Sequence, residues 1–129
     1  MDIQALMDGM SAKMMRERAQ TQMTLGKLIA VLEAMPTDAD VTGLDAPHSY
    51  RGYYSDLAFE PIAGTVKSGN LLALCKASMG QVFEGYKGGD YVMGALTPVW
   101  VANYGDCGRK LMALNPVNGQ IETAEDNYE

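Results

Sequence analysis

Two short segments of this chain concentrate its aromatic side chains and display an arginine beside them. The first, PHSYRGYYSDLAFEP, covers residues 47–61, and the second, VFEGYKGGDY, covers residues 82–91. Together they contain five of the seven tyrosines and both phenylalanines. An aromatic ring stacks on a nucleobase, and an arginine offers two aligned donors to phosphate oxygens. The combination is typical of a site for a planar ligand that carries phosphate.

Arg51 is the strongest candidate for the phosphate contact. Gly52 follows it and lets a ligand approach the backbone closely. The alternative is a structural arginine that pairs with Asp56 or Glu60 across a strand. From the residues alone, both interpretations remain open.

The other candidate ligand-binding residues are aromatics and cations near predicted turns. Phe83 stands ahead of a glycine-rich turn, although a lone phenylalanine is by default a core residue. Arg109 follows the turn at residues 105–108, where it either reaches a pocket or is an ordinary exposed residue. Tyr54 and Tyr91 are the displayed tyrosines that we include in the candidate site.

Catalytic groups are scarce in the sequence. His48 is the sole histidine, which removes histidine-pair chemistry and most zinc sites, and its turn-like setting favours a structural role. Cys75 has no activating base nearby in the sequence and is expected to be a packed thiol. No Gly-x-Ser-x-Gly elbow and no Walker loop is present. We therefore expect a protein that is not an enzyme, without catalytic residues, metal or cofactor.

Length and charge limit the class of ligand. The chain has 129 residues and a formal net charge of −6, which argues against a general binder of polymeric nucleic acid. A small anionic ligand is still compatible, because a few cations can dominate the field of a pocket. No apolar run approaches the ~20 residues of a membrane-spanning helix, and no secretory signal is evident. Cys75 and Cys107 are expected to be free thiols in a reducing cytosol.

The pattern of apolar residues predicts a single α+β domain, with a small antiparallel sheet packed against two or three helices. The predicted helices cover residues 2–20, residues 25–35 with Thr24 as N-cap, and a stretch that begins at Thr65 or Ser68 and ends near Met79, with Gly80 as a left-handed cap. The predicted strands cover residues 40–43, 53–61, 97–104 and 109–114, with a hairpin formed by residues 82–86 and 91–93.

Three regions follow from this pattern. Residues 1–23 are an N-terminal helical extension whose stripe of methionines suits an oligomer contact. Residues 24–115 form the α+β domain, and residues 116–129 are an acidic tail that we expect to be frayed and solvated. Trp100 alternates with valines in the clearest strand and is expected in the core.

Several segments taken together resemble a phage family. They are TLGKLI at residues 24–29 with Leu32 and Glu33, PHSYRGYYSDLAFEP, the helix end ASMG at residues 77–80, FEGYKGGDY, and residues 97–104. The chain resembles the first family of Thoeris anti-defence proteins, the cyclic ADP-ribose sponges, over residues 24–115.

The resemblance implies a function. Members of this family bind the glycosidically cyclised ADP-ribose isomers (gcADPR) made by bacterial TIR-domain enzymes and do not cleave them. Sequestration of the signal in the host cytoplasm during infection keeps the NAD-depleting effector inactive. Some members also bind cyclic trinucleotides of the CBASS system at separate sites within a hexamer, so a homo-oligomer between dimer and hexamer is implied.

The resemblance also assigns roles to individual residues. Phe83 resembles the adenine-stacking aromatic, Arg51 a pocket arginine, and Arg109 an arginine that reaches in from a neighbouring segment or subunit. Met93, which is also a candidate ligand-binding residue, falls where some members place an asparagine, a departure that leaves one polar ligand contact of the family unmatched. Lys27 is the only cation near residues 24–28, where the trinucleotide contacts would lie.

Two other functions are compatible with the sequence. The first is an enzyme that degrades cyclic nucleotides, which a histidine pair or a metal cluster would favour. The second is a protein–protein inhibitor or accessory phage protein that uses the methionine stripe and the acidic surface. Nucleotide binding and recovery of intact ligand distinguish sequestration from both.

Overall fold

The computed structural model describes residues 22–49, 55–85, 88–103 and 106–125. In these residues two helices, α1 (Leu25–Glu33) and α2 (Ser68–Ser78), accompany seven strands. The strands are β1 (Asp40–His48), β2 (Leu57–Lys67), β3 (Val82–Glu84), β4 (Asp90–Val92), β5 (Val99–Asn103), β6 (Asp106–Leu114) and β7 (Ile121–Ala124). The predicted α+β class is confirmed. The predicted helix at residues 2–20 lies outside the described residues, as do Arg51 and Tyr54.

Five of the strands form one sheet in the order β1-β2-β5-β6-β7, while β3 and β4 form a separate hairpin. All pairs in the large sheet are antiparallel except β2 and β5, which run parallel. The sequence predicts an antiparallel sheet, so the parallel pairing of β2 with β5 differs from that prediction. A parallel pair requires a long crossover, and here α2 and the hairpin supply it.

Strand β2 contains Pro61, which is the last residue of the strand predicted at residues 53–61. The structure extends β2 beyond this residue to Lys67 and pairs Pro61 with Leu44 of β1. On the other side, β5 pairs only with Leu57–Phe59. Proline is tolerated because this part of β2 has only one neighbouring strand in the sheet.

Both helices pack on one face of the large sheet. Helix α1 begins after Thr24, whose side-chain oxygen accepts from the backbone N–H of Lys27 at 3.3 Å, as the N-cap prediction requires. The apolar face of α1 and two residues of α2 meet the sheet in one buried core. The buried residues of that contact are Leu25, Leu28, Leu32, Leu71, Cys75, Val41, Leu44, Leu57, Phe59, Val99, Leu111 and Leu114.

The segment before α1 belongs to the domain. The side chain of Gln22 donates to the carbonyl of Val99 at 2.9 Å, and Gln22 itself is buried. Met23 donates its N–H to Leu111 O at 3.0 Å and accepts from the N–H of Val99 at 3.2 Å. The domain boundary predicted at residue 24 therefore falls inside a bonded segment, because residues 22 and 23 bridge β5 and β6.

The opposite face of the sheet carries a small second core of Ala58, Trp100 and Ala102. Trp100 is 2% exposed, so its predicted core position is confirmed. Its indole N–H donates to a carboxylate oxygen of the buried Asp56 at 2.9 Å. This bond joins the start of β2 to β5 and satisfies the polar atom of a buried indole.

The two outer strands of the large sheet meet at one end. The N–H of Thr42 in β1 donates to Gly119 O at 2.8 Å, and the Thr42 hydroxyl donates to the same oxygen at 3.3 Å. The hydroxyl in turn accepts from the N–H of Ile121 at 3.3 Å, at the start of β7. The chain after Leu114 thus ties the two edges of the sheet together.

This finding revises the region predicted as an acidic tail. The turn before β7 is built by Asn115, whose side-chain oxygen accepts from the N–H of Val117 at 2.8 Å, and by Gly119 at φ 73°. Strand β7 then pairs with β6: Ala124 is opposite Lys110 at one end of the pair, and Ile121 is opposite Leu114 at the other. Residues 116–125 are part of the sheet rather than a frayed end, because they supply an edge strand and the contact with β1.

Candidate functional site

The aromatic candidates of the second segment come together in the β3–β4 hairpin. Phe83 and Tyr91 are directly opposite each other in its register, between the pairs Val82–Val92 and Glu84–Asp90. Side chains alternate between the faces of a strand, so Phe83 and Tyr91 share one face of the hairpin and the two flanking pairs share the other. The hairpin predicted from the sequence is therefore present, with its two aromatics as a cross-strand pair.

The two rings differ in how far they reach solvent. Phe83 is half-buried and packs against the main core, so the aromatic face of the hairpin is turned toward the body of the domain. Tyr91 is 37% exposed. A Cβ added at Gly85 would lie 2.9 Å from a ring carbon of Tyr91, so the tyrosine ring lies close to this glycine. The pair thus forms an aromatic surface that packs against the core at Phe83 and is partly exposed at Tyr91.

A glycine-rich turn closes the hairpin beside this aromatic surface. The N–H of Gly85 donates to Gly89 O at 2.9 Å, and the N–H of Gly88 donates to Gly85 O at 3.0 Å. Gly88 and Gly89 both have φ near 90°, a conformation that favours glycine. Since side chains are absent at these glycines, a ligand on the aromatic surface can approach the backbone of the turn.

Met93 does not join the aromatic surface. Its side chain is 1% exposed and belongs to the main core. Its backbone instead fixes the base of the hairpin: its N–H donates to Gln81 O at 2.9 Å, and its carbonyl accepts from Gly80 at 2.8 Å. The ligand contact suggested for Met93 is corrected to a packing role, because the buried thioether is closed to solvent and carries no strong polar group.

Arg109 lies on β6 of the large sheet, whereas Phe83 and Tyr91 belong to the separate hairpin. It is opposite Val101 of β5 and therefore on the helix-bearing face of the large sheet. Its Nε donates to Thr123 Oγ1 at 2.8 Å, and its Nη1 lies 3.5 Å from a carboxylate oxygen of Glu125. Its side chain is 48% exposed. The guanidinium is thus oriented by β7 while it stays accessible to solvent.

Lys27 is exposed in the first turn of α1. The backbone donors around it are already used: Leu25 N–H bonds to Thr97 O at 2.8 Å, Gly26 N–H to Ala95 O at 3.0 Å, and Lys27 N–H to the Thr24 side chain. Helix N-termini bind anions through such N–H groups. An anion at this turn would depend on the Lys27 side chain, so the structure offers little backbone support for a trinucleotide site here.

Cys75 and His48 both have structural settings. Cys75 is fully buried in the main core, which confirms the packed thiol predicted from the sequence. The imidazole Nδ1 of His48 lies 2.8 Å from Ala46 O, and Nε2 lies 3.7 Å from a Glu60 oxygen across the β1–β2 pair. Within the described residues, no group of three or more histidine, cysteine or acidic side chains is placed to hold a metal ion.

Burial raises the pKa of the Cys75 thiol to about 12, from an ordinary value of 9.0. We expect Cys75 in a Cys107→Ser variant to react with iodoacetamide at pH 8 only as the protein unfolds in urea. The folded protein should also lose stability as the pH rises above 9, because only the unfolded state then ionises this thiol. Mass spectrometry of the labelled chain measures the reaction, and complete labelling without urea would contradict the buried position.

The sequence analysis missed the residues that orient Arg109. Thr123 and Glu125 lie within residues 116–129, which were predicted to be a frayed and solvated acidic tail, and they follow a turn at residues 115–119. The dipeptide Asn118-Gly119 is a strong turn signal, and β-branched Ile121 and Thr123 alternate after it. Those two signals together could have predicted β7. The side-chain pairing with Arg109 could not have been predicted without the register of β6 and β7.

Among the described residues no helix is both long and apolar enough to cross a membrane. No protein-family model, no curated protein and no solved structure matches the chain.

Proposed function

We propose that the chain is a phage anti-defence sponge, which binds gcADPR made by TIR-domain enzymes and holds it without cleavage. The observation that carries the proposal is the Phe83–Tyr91 pair on one face of the β3–β4 hairpin, beside a turn of exposed glycines. A base stacks on such a surface, and the glycine turn leaves room for the ribose and phosphates. The resemblance of the segments to cyclic ADP-ribose sponges selects this ligand class.

Phosphate binding is assigned to arginine. Arg109 is accessible and its guanidinium is oriented by a hydrogen bond to Thr123, which supports a role in binding the pyrophosphate of the ligand. Arg51 has the same assigned role from the sequence. A sponge has to hold its ligand tightly, and stacking on aromatic side chains contributes about 1–3 kcal/mol per base in related sites.

The proposal includes self-association. The outer face of the hairpin exposes the apolar pair Val82 and Val92, at 53% and 62%, and Met79 just before the hairpin is 42% exposed. Adjacent exposed apolar side chains are typical of protein interfaces. This surface supports self-association, and the resemblance implies a homo-oligomer, between dimer and hexamer, that acts in the host cytoplasm during infection.

Cyclic trinucleotides are a secondary ligand class in the proposal. The turn around Lys27 has its backbone N–H groups bonded within the protein, so binding there would rest on side chains. We therefore expect gcADPR to bind much more tightly than any cyclic trinucleotide.

The proposal is tested by isothermal titration of the whole chain with gcADPR, with NAD as the control ligand, which contains the same ADP-ribose unit linked to nicotinamide and is not cyclised. Saturable binding of gcADPR that greatly exceeds that of NAD supports sequestration. The proposal would be contradicted if gcADPR and NAD bound equally well, or if neither ligand gave a heat of binding. A host protein that co-purifies stoichiometrically from lysate, in the absence of gcADPR binding, would instead favour the protein–protein inhibitor.

A further inference from the structure

We infer that Thr123 in β7 and Glu125 just after it prepare Arg109 to bind an anion. Thr123 orients the guanidinium, and the carboxylate of Glu125 occupies the position of the ligand phosphate until the phosphate displaces it. The inference rests on the proposed function in one respect only, that Arg109 is a ligand-binding arginine. Neither Thr123 nor Glu125 was assigned a role from the sequence or from the resemblance.

The role of Thr123 follows from the atom to which it bonds. An arginine has five N–H donors, one on Nε and two on each terminal nitrogen. Thr123 Oγ1 accepts from Nε at 2.8 Å, so this bond fixes the plane of the guanidinium and uses only the donor nearest the chain. A guanidinium can bind phosphate in a bidentate way through Nε and one terminal nitrogen or through both terminal nitrogens, and the bond to Thr123 engages the Nε donor and leaves the second edge for a phosphate. Thr123 is therefore a positioning residue that prepares this edge.

The role of Glu125 follows from the weakness of its contact. Its carboxylate oxygen lies 3.5 Å from Nη1, and the Glu125 side chain is 79% exposed. Exposed ion pairs of this kind contribute little to stability, because water screens them and both side chains lose freedom. A phosphate that bonds two donors at once makes stronger, charge-assisted hydrogen bonds. A pyrophosphate ligand can thus replace Glu125 at small cost.

The register of the sheet explains why both residues reach the same arginine. Lys110 is opposite Ala124 in this antiparallel pair, so Arg109, which precedes Lys110 in β6, is level with Glu125. Leu111 is opposite Thr123, two positions from Arg109 on the same strand face. The hydroxyl and the carboxylate therefore contact different nitrogens of the same guanidinium, the hydroxyl at Nε and the carboxylate at Nη1.

The variants Glu125→Gln and Glu122→Gln form a matched pair. Each variant removes one acidic charge at an exposed position, Glu122 in β7 and Glu125 just after it. Glu122 serves as the control because it is opposite Ala113, near the other end of the strand. We expect Glu125→Gln to raise the affinity for gcADPR about two- to fivefold at low salt, and Glu122→Gln to change it by less. The affinity is measured by isothermal titration of the full chain.

The variants Thr123→Val and Thr123→Ser test orientation. Valine keeps the β-branched shape and removes the acceptor, so we expect about three- to tenfold weaker gcADPR binding with an unchanged unfolding temperature. Serine keeps the hydroxyl and should restore most of the affinity. If the role of Thr123 were purely structural, Thr123→Val would instead shift the unfolding temperature, and the two variants would bind gcADPR with the same affinity.

Arg109→Gln separates failure of this inference from failure of the proposed site. If Arg109→Gln leaves gcADPR affinity unchanged, Arg109 is not a ligand-binding residue and its assigned role in the proposed function is wrong. A second outcome is that Arg109→Gln weakens gcADPR binding, Glu125→Gln and Glu122→Gln have equal effects, and Thr123→Val has no effect. In that case Arg109 is a ligand-binding residue, and the role inferred for Thr123 and Glu125 is wrong. Weaker binding in Glu125→Gln would also overturn it.

Discussion

Phe83→Leu is expected to weaken gcADPR binding by about ten- to a hundredfold while the protein stays folded. Phe83 is half-buried against the main core and directly opposite Tyr91, so leucine keeps the apolar contact with the core but removes the aromatic face. Base stacking on an aromatic side chain is worth about 1–3 kcal/mol, which corresponds to this range of affinities. The Kd from isothermal titration is the quantity to compare.

Phe59→Leu is the matched control for this prediction. The chain has two phenylalanines, and Phe59 is fully buried on β2 within the same core. Its replacement should cost at least as much stability as Phe83→Leu, because more apolar surface is involved, yet gcADPR affinity should change little. If both variants lost affinity in proportion to their lost stability, Phe83 would be a core residue and not a stacking residue.

Gly119→Ala is expected to destabilise the fold by about 3–5 kcal/mol. Gly119 has φ 73°, and a Cβ there would lie only 1.9 Å from the carbonyl oxygen of Asp40 in β1. The backbone would have to separate, which would break the bonds from Thr42 to Gly119 O and from Ile121 to Thr42. A loss of this size is typical of substitutions that combine backbone strain with a steric clash. Urea denaturation followed by circular dichroism measures it.

Gly64→Ala isolates the contribution of the backbone. Gly64 has φ 81°, close to that of Gly119, but an added Cβ would meet nothing within 4 Å. This variant should lose only about 1–2 kcal/mol, the cost of a left-handed conformation for an L-residue. Equal losses at the two glycines would show that the contact between the outer strands contributes nothing to stability.

The elements predicted correctly are those with local sequence signals. Helix α1 has an N-cap in Thr24 and an apolar face with helical spacing, and Gly80 after α2 has the expected positive φ of 79°. The hairpin was predicted from its glycine turn, and Trp100 from alternation in a strand. Each of these features depends on residues within a few positions of one another, so the sequence alone reveals them.

The features that were not predicted depend on pairing between distant parts of the chain. The parallel contact of β2 with β5 joins residues about forty positions apart, and the bonds of Thr42 with Gly119 and Ile121 join residues nearly eighty apart. The burial of Met93 was missed because nothing local distinguishes a core methionine from a displayed one. The orientation of Arg109 required the β6–β7 register, which is set by the whole sheet.

The same contrast applies to the candidate site. Phe83 and Tyr91 were both chosen from one segment, and the hairpin register brings them together. Arg109 was chosen from its place after a turn, and it lies on the other sheet, held by residues that the sequence analysis assigned to a tail. The aromatic candidates therefore belong to the hairpin, and Arg109 belongs to the large sheet.

The most direct test of sequestration measures the fate of the bound nucleotide. The protein is incubated with gcADPR until the free ligand is depleted, the complex is separated from unbound ligand and heated, and the supernatant is analysed by mass spectrometry. Our account predicts that denaturation releases intact gcADPR in the amount that was bound. Release of a linear or hydrolysed nucleotide, or the absence of any captured ligand, would contradict it.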